Sequence, residues 1–115
     1  MQKNIYGKAS EIIAADFLKE KGYKILETNY KNKIGEIDVI ALYGDYIVFV
    51  EVKARSSLKF GHPFEAIDKR KQQKIKMIAS LYLTTKRKTN TKCRFDAIAL
   101  LGQSDYQITH IKDCF

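Results

Sequence analysis

Two carboxylates and a lysine stand on two neighbouring apolar segments of the chain, Asp38 on the first and Glu51 with Lys53 on the second. Glu51 follows the most apolar run of the sequence, residues 46–50, where an unpaired charge would be costly to bury. Carboxylates placed in this way can hold a divalent cation that activates water. A lysine beside them can orient that water or stabilise charge on a phosphodiester. The residue types therefore predict metal-assisted phosphodiester hydrolysis with water as the nucleophile.

A predicted hairpin brings these residues together. Segments 36–42 and 46–53 are rich in β-branched and aromatic residues and flank Gly44-Asp45, a two-residue turn signal. A turn of that length sets Asp38 across from Glu51 with Cβ atoms about 5 Å apart, a like-charge contact that destabilises a sheet unless a cation neutralises it. Oxygen ligands with room for water favour Mg²⁺ or Mn²⁺ over zinc.

The same register leaves a structural alternative open. It sets Glu36 across from Lys53, and Lys53 could instead neutralise one carboxylate in a plain ion pair, which leaves the second acid unexplained. Glu36 is then a partner of Lys53 or a solvated residue at the start of its strand, not a metal ligand. No Ser-His or Cys-His nucleophile is predicted, because His62 and His110 lie in a loop and a late strand without an obvious partner.

A third acidic candidate, Glu11, comes from a predicted helix. From about Lys8 to Lys21, apolar residues recur every three to four positions. Glu11 lies at the edge of this apolar stripe, whereas Asp16 falls on the solvent side. Glu11 joins the metal site if the helix packs on the sheet face that carries the other two acids; otherwise it is an ordinary helix-edge glutamate paired with a surface lysine.

The rest of the pattern completes an α/β fold. Residues 23–31 predict a strand, and a long helix extends from its cap, Asp68, to about Leu83. Residues 94–101 and 106–111 predict a closing pair of strands. The predicted buried face of the second helix comprises Ile75, Ile78, Ala79 and Tyr82. The order α-β-β-β-α-β-β therefore predicts a mixed central β-sheet flanked by helices.

Length and cysteine content point to one cytoplasmic domain. At 115 residues the chain fits a single domain, 1–115, with one core. It shows neither a secretory signal nor a stretch of about 20 apolar residues, so no membrane partner is expected. Its two cysteines, Cys93 and Cys114, are too few and too far apart for a zinc cluster. A four-residue loop over 102–105 would set them opposite each other, but a disulfide is not expected in a reducing cytoplasm.

The charge balance predicts a polyanionic partner. Lys and Arg outnumber Asp and Glu by 21 to 13, a formal net charge of +8. Composition does not separate DNA from RNA. A basic run at the start of the second helix predicts phosphate binding, although such runs are often only solvated faces. The predicted contacts of this run are Lys69, Arg70, Lys71 and Lys74.

Two segments carry a family resemblance: Gly35-Glu36-Ile37-Asp38-Val39-Ile40 and Val48-Phe49-Val50-Glu51-Val52-Lys53-Ala54-Arg55. They resemble the Asp...Glu-x-Lys core of the restriction-endonuclease-like superfamily, most closely its bacterial YraN-like branch, which is similar to archaeal Holliday junction resolvases. The resemblance covers nearly the whole chain, from Gly7 to Asp96. It implies a restriction-endonuclease-like core.

The resemblance also implies roles for single residues. The acidic metal-site positions that it implies are Glu11, Asp38 and Glu51. Lys53 corresponds to the catalytic lysine, and Arg55, which closes the matched segment, is a predicted nucleic-acid contact. Lys31, where this family often has Arg, can still bind a phosphate but cannot do so in a bidentate manner.

These observations favour a metal-dependent DNA endonuclease that uses Mg²⁺ or Mn²⁺ and is structure-selective in the manner of a Holliday junction resolvase. The alternative is a non-catalytic or weakly catalytic nucleic-acid-binding accessory protein on the same fold. The acidic set and its lysine favour the enzyme, because a retired site would tolerate Asn or Ala at these positions. Symmetric cleavage of a four-way junction would need a two-fold homodimer.

Overall fold

Five strands form one mixed sheet in chain order, and a helix covers each face. In this computed structural model the described residues are 2–59 and 61–115, with side chains from Ala9 onward. The elements are α1 (Gln2–Glu20), β1 (Lys24–Lys31), β2 (Glu36–Tyr43), β3 (Tyr46–Arg55), a 3-10 turn (Pro63–Ala66), α2 (Lys69–Thr85), β4 (Lys92–Leu101) and β5 (Gln107–Ile111). The predicted element order and the mixed sheet flanked by helices are confirmed. Within the described residues, no helix combines the length and the apolar character needed to cross a bilayer.

The hairpin of β2 and β3 has the predicted register. Tyr43 pairs with Tyr46, and the antiparallel pairing continues to Val39 with Val50. Gly44 opens the turn with φ +60°, a left-handed conformation that glycine adopts without strain and that two-residue hairpin turns require. The turn therefore fixes which residues of the two strands lie opposite one another.

β3 and β4 are parallel along their whole length, from Tyr46 beside Lys92 to Arg55 beside Leu101. Parallel neighbours need a crossover, and α2 supplies it. Because β1 and β3 end where β2 begins, three strand termini and the start of α2 meet at one end of the sheet. We call this end, marked by Lys31, Glu36 and Arg55, the acidic edge; the opposite end is the hairpin end.

Two apolar layers hold the helices on the sheet. On one face, Ala14 and Leu18 of α1 are fully buried against valines of β2 and β3. On the other face, α2 packs on Ile47 and Phe49 of β3. Its buried residues are the four that were predicted, Ile75, Ile78, Ala79 and Tyr82. The alternation of apolar side chains along β3 is what divides the core into these two layers.

The cap of α2 is confirmed as well. The Asp68 carboxylate accepts a hydrogen bond from the Lys71 amide at 2.9 Å, which satisfies one of the free N–H groups of the first turn. This cap fixes where the helix begins and therefore which side chains of its first turn reach the acidic edge.

Two boundaries differ from the sequence-based expectation. α1 begins at Gln2, earlier than the predicted start near Lys8, because its first turns lack the apolar repeat on which that prediction rested. Leu101 pairs with Gln107, so the β4–β5 loop is one residue longer than expected. The Gly102 amide donates to the Arg55 carbonyl at 2.9 Å and keeps Gly102 in line with β4. Both cysteines are free.

Candidate active site

Asp38 and Glu51 lie beside each other at the acidic edge, each one residue beyond the last backbone pair of β2 and β3. An Asp38 carboxylate oxygen accepts a hydrogen bond from the Val52 amide, with an N–Oδ2 distance of 2.7 Å. A continued ladder would bring that amide opposite Ile37. The Asp38 side chain thus takes the place of the next backbone bond, and Ile37 turns toward α2.

Burial favours the protonated form of the Asp38 carboxyl group. Removal from water, followed by the hydrogen bond and the charge of Glu51, raises the pKa of Asp38 to about 8. The Val52 amide and the Lys53 ammonium act in the opposite direction. Glu51 itself is only 4% exposed. With its pKa raised, the Asp38 carboxyl group retains at neutral pH a proton that a bound cation would replace.

Glu36 does not lie across from Lys53 as the extended register predicted. Backbone pairing of β2 with β3 stops before that point, because the Asp38 side chain takes the Val52 amide. Glu36 instead pairs with Lys31 of β1, at 3.9 Å between Nζ and Oε2, and both side chains are more than half exposed. Glu36 is therefore the solvated residue at the start of its strand, the other of the two roles considered for it.

Glu11 reaches the charge field of Asp38 from the α1 side of the sheet. Burial and then the charges of Asp38 and Glu36 raise the pKa of Glu11 to about 7, whereas Lys31 lowers it. Glu51 points to the opposite face, toward α2, since it continues the series of Ile47 and Phe49, which α2 covers. Among the described side chains, no group of three or more carboxylate, histidine or cysteine residues is assembled to hold a metal ion as it stands.

Two lysines serve the carboxylate pair in different ways. Lys53 is half-buried and its charge acts on Asp38, but within the described part of the chain no ion pair of Lys53 is formed. The ammonium that contacts Glu51 belongs to Lys71 of α2, at 3.3 Å from Oε2. That oxygen is buried and accepts no hydrogen bond from the part of the chain that the structure describes. The alternative considered for Lys53, an ion pair with one of these carboxylates, is therefore not formed among the described residues, and Lys71 contacts Glu51 instead.

The predicted nucleic-acid contacts surround the acidic edge. They are four residues of α2, Lys69, Arg70, Lys71 and Lys74, and two at strand ends, Lys31 and Arg55. A Cβ added to Gly35 would lie 3.1 Å from Cε of Lys74, so glycine allows α2 to lie close to the β1–β2 turn. The Arg55 guanidinium donates to the Ala54 carbonyl at 3.1 Å. Of these six cations Lys71 contacts one of the buried acids, and the others lie on the strand ends and the first two turns of α2 that meet at this end of the sheet.

A buried polar network around Asp96 was not predicted from the sequence. Asp96 is fully buried and accepts four hydrogen bonds: two from Arg94, at 2.9 and 2.8 Å, one from His110 at 2.7 Å and one from the Asp113 amide at 2.9 Å. Arg94 also donates to the Tyr23 hydroxyl at 2.6 Å.

The Asp96 network is built for an ionised carboxylate. Burial alone would raise the pKa of Asp96, but the hydrogen bonds from His110, Arg94 and the Asp113 amide lower it. The spacing of Arg94 and Asp96, two residues apart on one strand face, was the available signal. The network ties β4 to β5 and, through Tyr23, to the start of β1.

Comparison with known proteins gives one consistent result. Residues 10–100 match the family described as "Uncharacterised protein family UPF0102". A UPF0102 protein of Caldanaerobacter subterraneus is 54% identical over all of this chain and 98% of its own length. Similar UPF0102 proteins occur in Dictyoglomus thermophilum, at 46% identity over 88% of this chain and 86% of the relative, and in Clostridioides difficile, at 46% over 95% of each. The expected YraN-like family is thereby confirmed.

Proposed function

The chain belongs to the UPF0102 family, and we propose that it is a metal-dependent nuclease that hydrolyses DNA phosphodiester bonds. One observation carries the proposal: a buried pair of carboxylates, Asp38 and Glu51, lies at the acidic edge, and an oxygen of Glu51 accepts no hydrogen bond from the described residues. A fold does not bury two acids in contact without compensation. The resemblance to the restriction-endonuclease-like superfamily supports the same interpretation.

The residues present fit a divalent cation. Asp38 and Glu51 would hold it, and Oε2 of Glu51, which contacts Lys71 but accepts no hydrogen bond from the described residues, is an available metal ligand. Glu11 lies on the face opposite to the Glu51 side chain and within charge range of Asp38, so it would join such a site only from the Asp38 side. Two or three carboxylates with water in the remaining positions suit Mg²⁺ or Mn²⁺. Such an ion supplies Lewis-acid activation and neutralises charge at the phosphodiester.

The chain's own groups have separable roles in this reaction. The Val52 amide fixes the orientation of the Asp38 carboxylate. Lys53 has no carboxylate partner of its own in the described chain, so its ammonium is available to orient water or to stabilise charge on the phosphoryl oxygens. The exposed cations of α2 would bind the phosphates on either side of the cleaved bond without reading base sequence.

The proposal includes the kind of nucleic acid, DNA, and its branched shape. The six predicted cationic contacts would suit any phosphodiester polymer, and the resemblance to junction resolvases favours branched DNA. A two-fold homodimer would be required for paired cuts in a four-way junction.

A cleavage panel tests the proposal. Labelled linear, flapped and four-way-junction DNA, with a matched RNA hairpin, are incubated with Mg²⁺, Mn²⁺ or EDTA. We expect metal-dependent cleavage that is strongest on branched DNA and lost in Asp38→Asn, whose amide can still accept the Val52 hydrogen bond. Asp16→Asn, an exposed carboxylate on α1, is the matched control and should cleave normally. Cleavage of equal rate in EDTA would contradict the proposal.

The Lys71 contact favours a second candidate, a nucleic-acid-binding accessory protein without catalysis. An ammonium already lies against Glu51, so the fold can neutralise this acid without a metal. This candidate predicts tight DNA binding in EDTA, no cleavage with either metal, and no change in melting temperature on adding Mg²⁺.

A further inference from the structure

The Lys71–Glu51 ion pair joins a fixed group to a movable one. Glu51 lies on the central strand, β3, at the acidic edge. Its side chain is 4% exposed, whereas the Lys71 side chain is 38% exposed. Lysine carries its charge on a flexible four-carbon stem with three rotatable donors. The carboxylate therefore cannot leave this position, and the ammonium can.

The contact itself is of a replaceable kind. Nζ of Lys71 lies 3.3 Å from Oε2, yet Oε2 accepts no hydrogen bond from Lys71 or any other described residue, so charge rather than an oriented bond holds the pair. Removing the ammonium without replacement would leave a buried, uncompensated carboxylate, which is strongly destabilising. Lys71 is thus expected to leave Glu51 only when another cation takes its place.

A released Lys71 has an anionic partner available in bound DNA. It belongs to the first turn of α2, next to the exposed Lys69 and Arg70, where free N–H groups also favour anions. An ammonium turned away from Glu51 joins this cationic turn. The same side chain therefore serves the acids in one state and the phosphate surface in the other.

We propose that Lys71 is an internal counter-ion that a divalent metal displaces from Glu51, and that the displaced ammonium then binds a phosphate of the nucleic acid. This inference rests on the proposed metal site. Because the two binding events share one side chain, each must strengthen the other by the same factor. Metal raises the affinity for DNA, and DNA raises the affinity for metal.

The first arm of the test measures metal binding alone. Calorimetric titration with Mg²⁺ and with Mn²⁺, in the absence of DNA, compares the wild type with Lys71→Gln, which keeps a hydrogen-bond donor near Glu51 but removes the charge. We expect the variant to bind metal about tenfold more tightly, since no internal cation competes. Lys76→Gln is the matched control: it removes the same charge from an exposed position on the same helix and should match the wild type.

The second arm measures coupling. Binding of a labelled phosphorothioate four-way junction is titrated with and without Mg²⁺. The wild type and Lys76→Gln should bind DNA more tightly with Mg²⁺, and Lys71→Gln should lose most of that gain. Lys71→Arg restores a movable cation and should recover the coupling, which also keeps the test valid if Lys71→Gln folds poorly.

The outcomes separate the two proposals. If the wild type binds metal and Asp38→Asn does not, but Lys71→Gln binds metal no more tightly than the wild type, the counter-ion role is overturned and the metal site stands. If neither the wild type nor Lys71→Gln binds Mg²⁺ or Mn²⁺, the proposed function falls, and the inference falls with it.

Discussion

At the scale of single residues, Asp38 is a carboxyl group held where its neutral form is favoured. Burial and Glu51 raise its pKa to about 8, and burial with the charge of Asp38 raises that of Glu11 to about 7. A group whose pKa is higher in the folded state contributes stability that is complete below its unfolded pKa, here 3.8 and 4.5, and is lost as the pH rises through the folded value.

We therefore expect the metal-free protein to lose stability between about pH 4 and about pH 8, and the loss to be smaller in Asp38→Asn. Urea unfolding in EDTA at several pH values measures the free energy of unfolding of both proteins. Asp16→Asn, whose carboxylate is 65% exposed, should follow the wild-type curve. Identical pH dependence in Asp38→Asn and the wild type would remove Asp38 as a source of the effect.

Lys53 is assigned to the reaction and not to folding. In Lys53→Ala little core volume is removed, so the free energy of unfolding should change little. DNA affinity should persist, because α2 supplies most of the phosphate-binding cations. Cleavage should fall about a hundredfold or more, the usual scale for losing one preorganised charge or proton-transfer group.

Unfolding and cleavage are measured on the same Lys53→Ala preparation. Lys24→Ala, an exposed lysine at the hairpin end, is the control. A Lys53→Ala protein that is clearly less stable yet keeps full specific activity would contradict the catalytic assignment and indicate a structural role for Lys53.

At the scale of elements, the first turn of α2 separates binding from chemistry. Replacing Lys69 and Arg70 with Ala should weaken DNA binding for all sequences and reduce the slope of log affinity against log salt by about 0.9 for each phosphate that is no longer neutralised. Both side chains are exposed, so stability should not change. The paired control is Lys24 and Lys112 to Ala, two exposed lysines away from the acidic edge. Equal salt-dependence slopes for the two double variants would show that Lys69 and Arg70 are solvated and do not bind phosphate.

The β4–β5 pair depends on the Asp96 network. Asp96→Ala leaves the largely buried Arg94 and His110 without their shared carboxylate, and breaking a buried pair of this kind costs about 3–5 kcal/mol. Asp45→Ala is the matched control, since Asp45 pairs with Lys92 at 3.3 Å with both side chains largely exposed and should cost about 1 kcal/mol or less. Denaturant unfolding compares them. A loss below about 1 kcal/mol for Asp96→Ala would mean that the network adds little to stability.

Short-range sequence patterns were sufficient to predict the elements that depend only on neighbouring residues. The Gly44-Asp45 turn set the register of β2 with β3, and the apolar repeat of α2 gave its buried face. The predicted register of β4 with β5 was wrong by one residue. The Gly102 amide donates to the Arg55 carbonyl of β3, a strand far away in the sequence. The length of a loop in the sequence does not reveal such a contact between distant strands.

At the scale of the whole molecule, the candidate site draws on four elements, and only part of it is encoded within one of them. Asp38 and Glu51 share a hairpin, so their contact follows from register alone. The Lys71 contact depends on how α2 lies across the sheet after its crossover, and the face from which Glu11 approaches depends on α1. Both depend on packing between distant segments, which explains why Lys71 was expected only as a phosphate contact.

The outer strands decide how copies of this chain can meet. β1 carries a register shift between Ile25 and Glu27 and a left-handed residue, Asn29 with φ +50°, and β5 is only five residues long. Bulged and short edge strands are poor templates for another chain's backbone. Concentrated protein should therefore resist fibrillar, edge-to-edge aggregation, and a two-fold homodimer would have to join through helices or loops and not by extending the sheet.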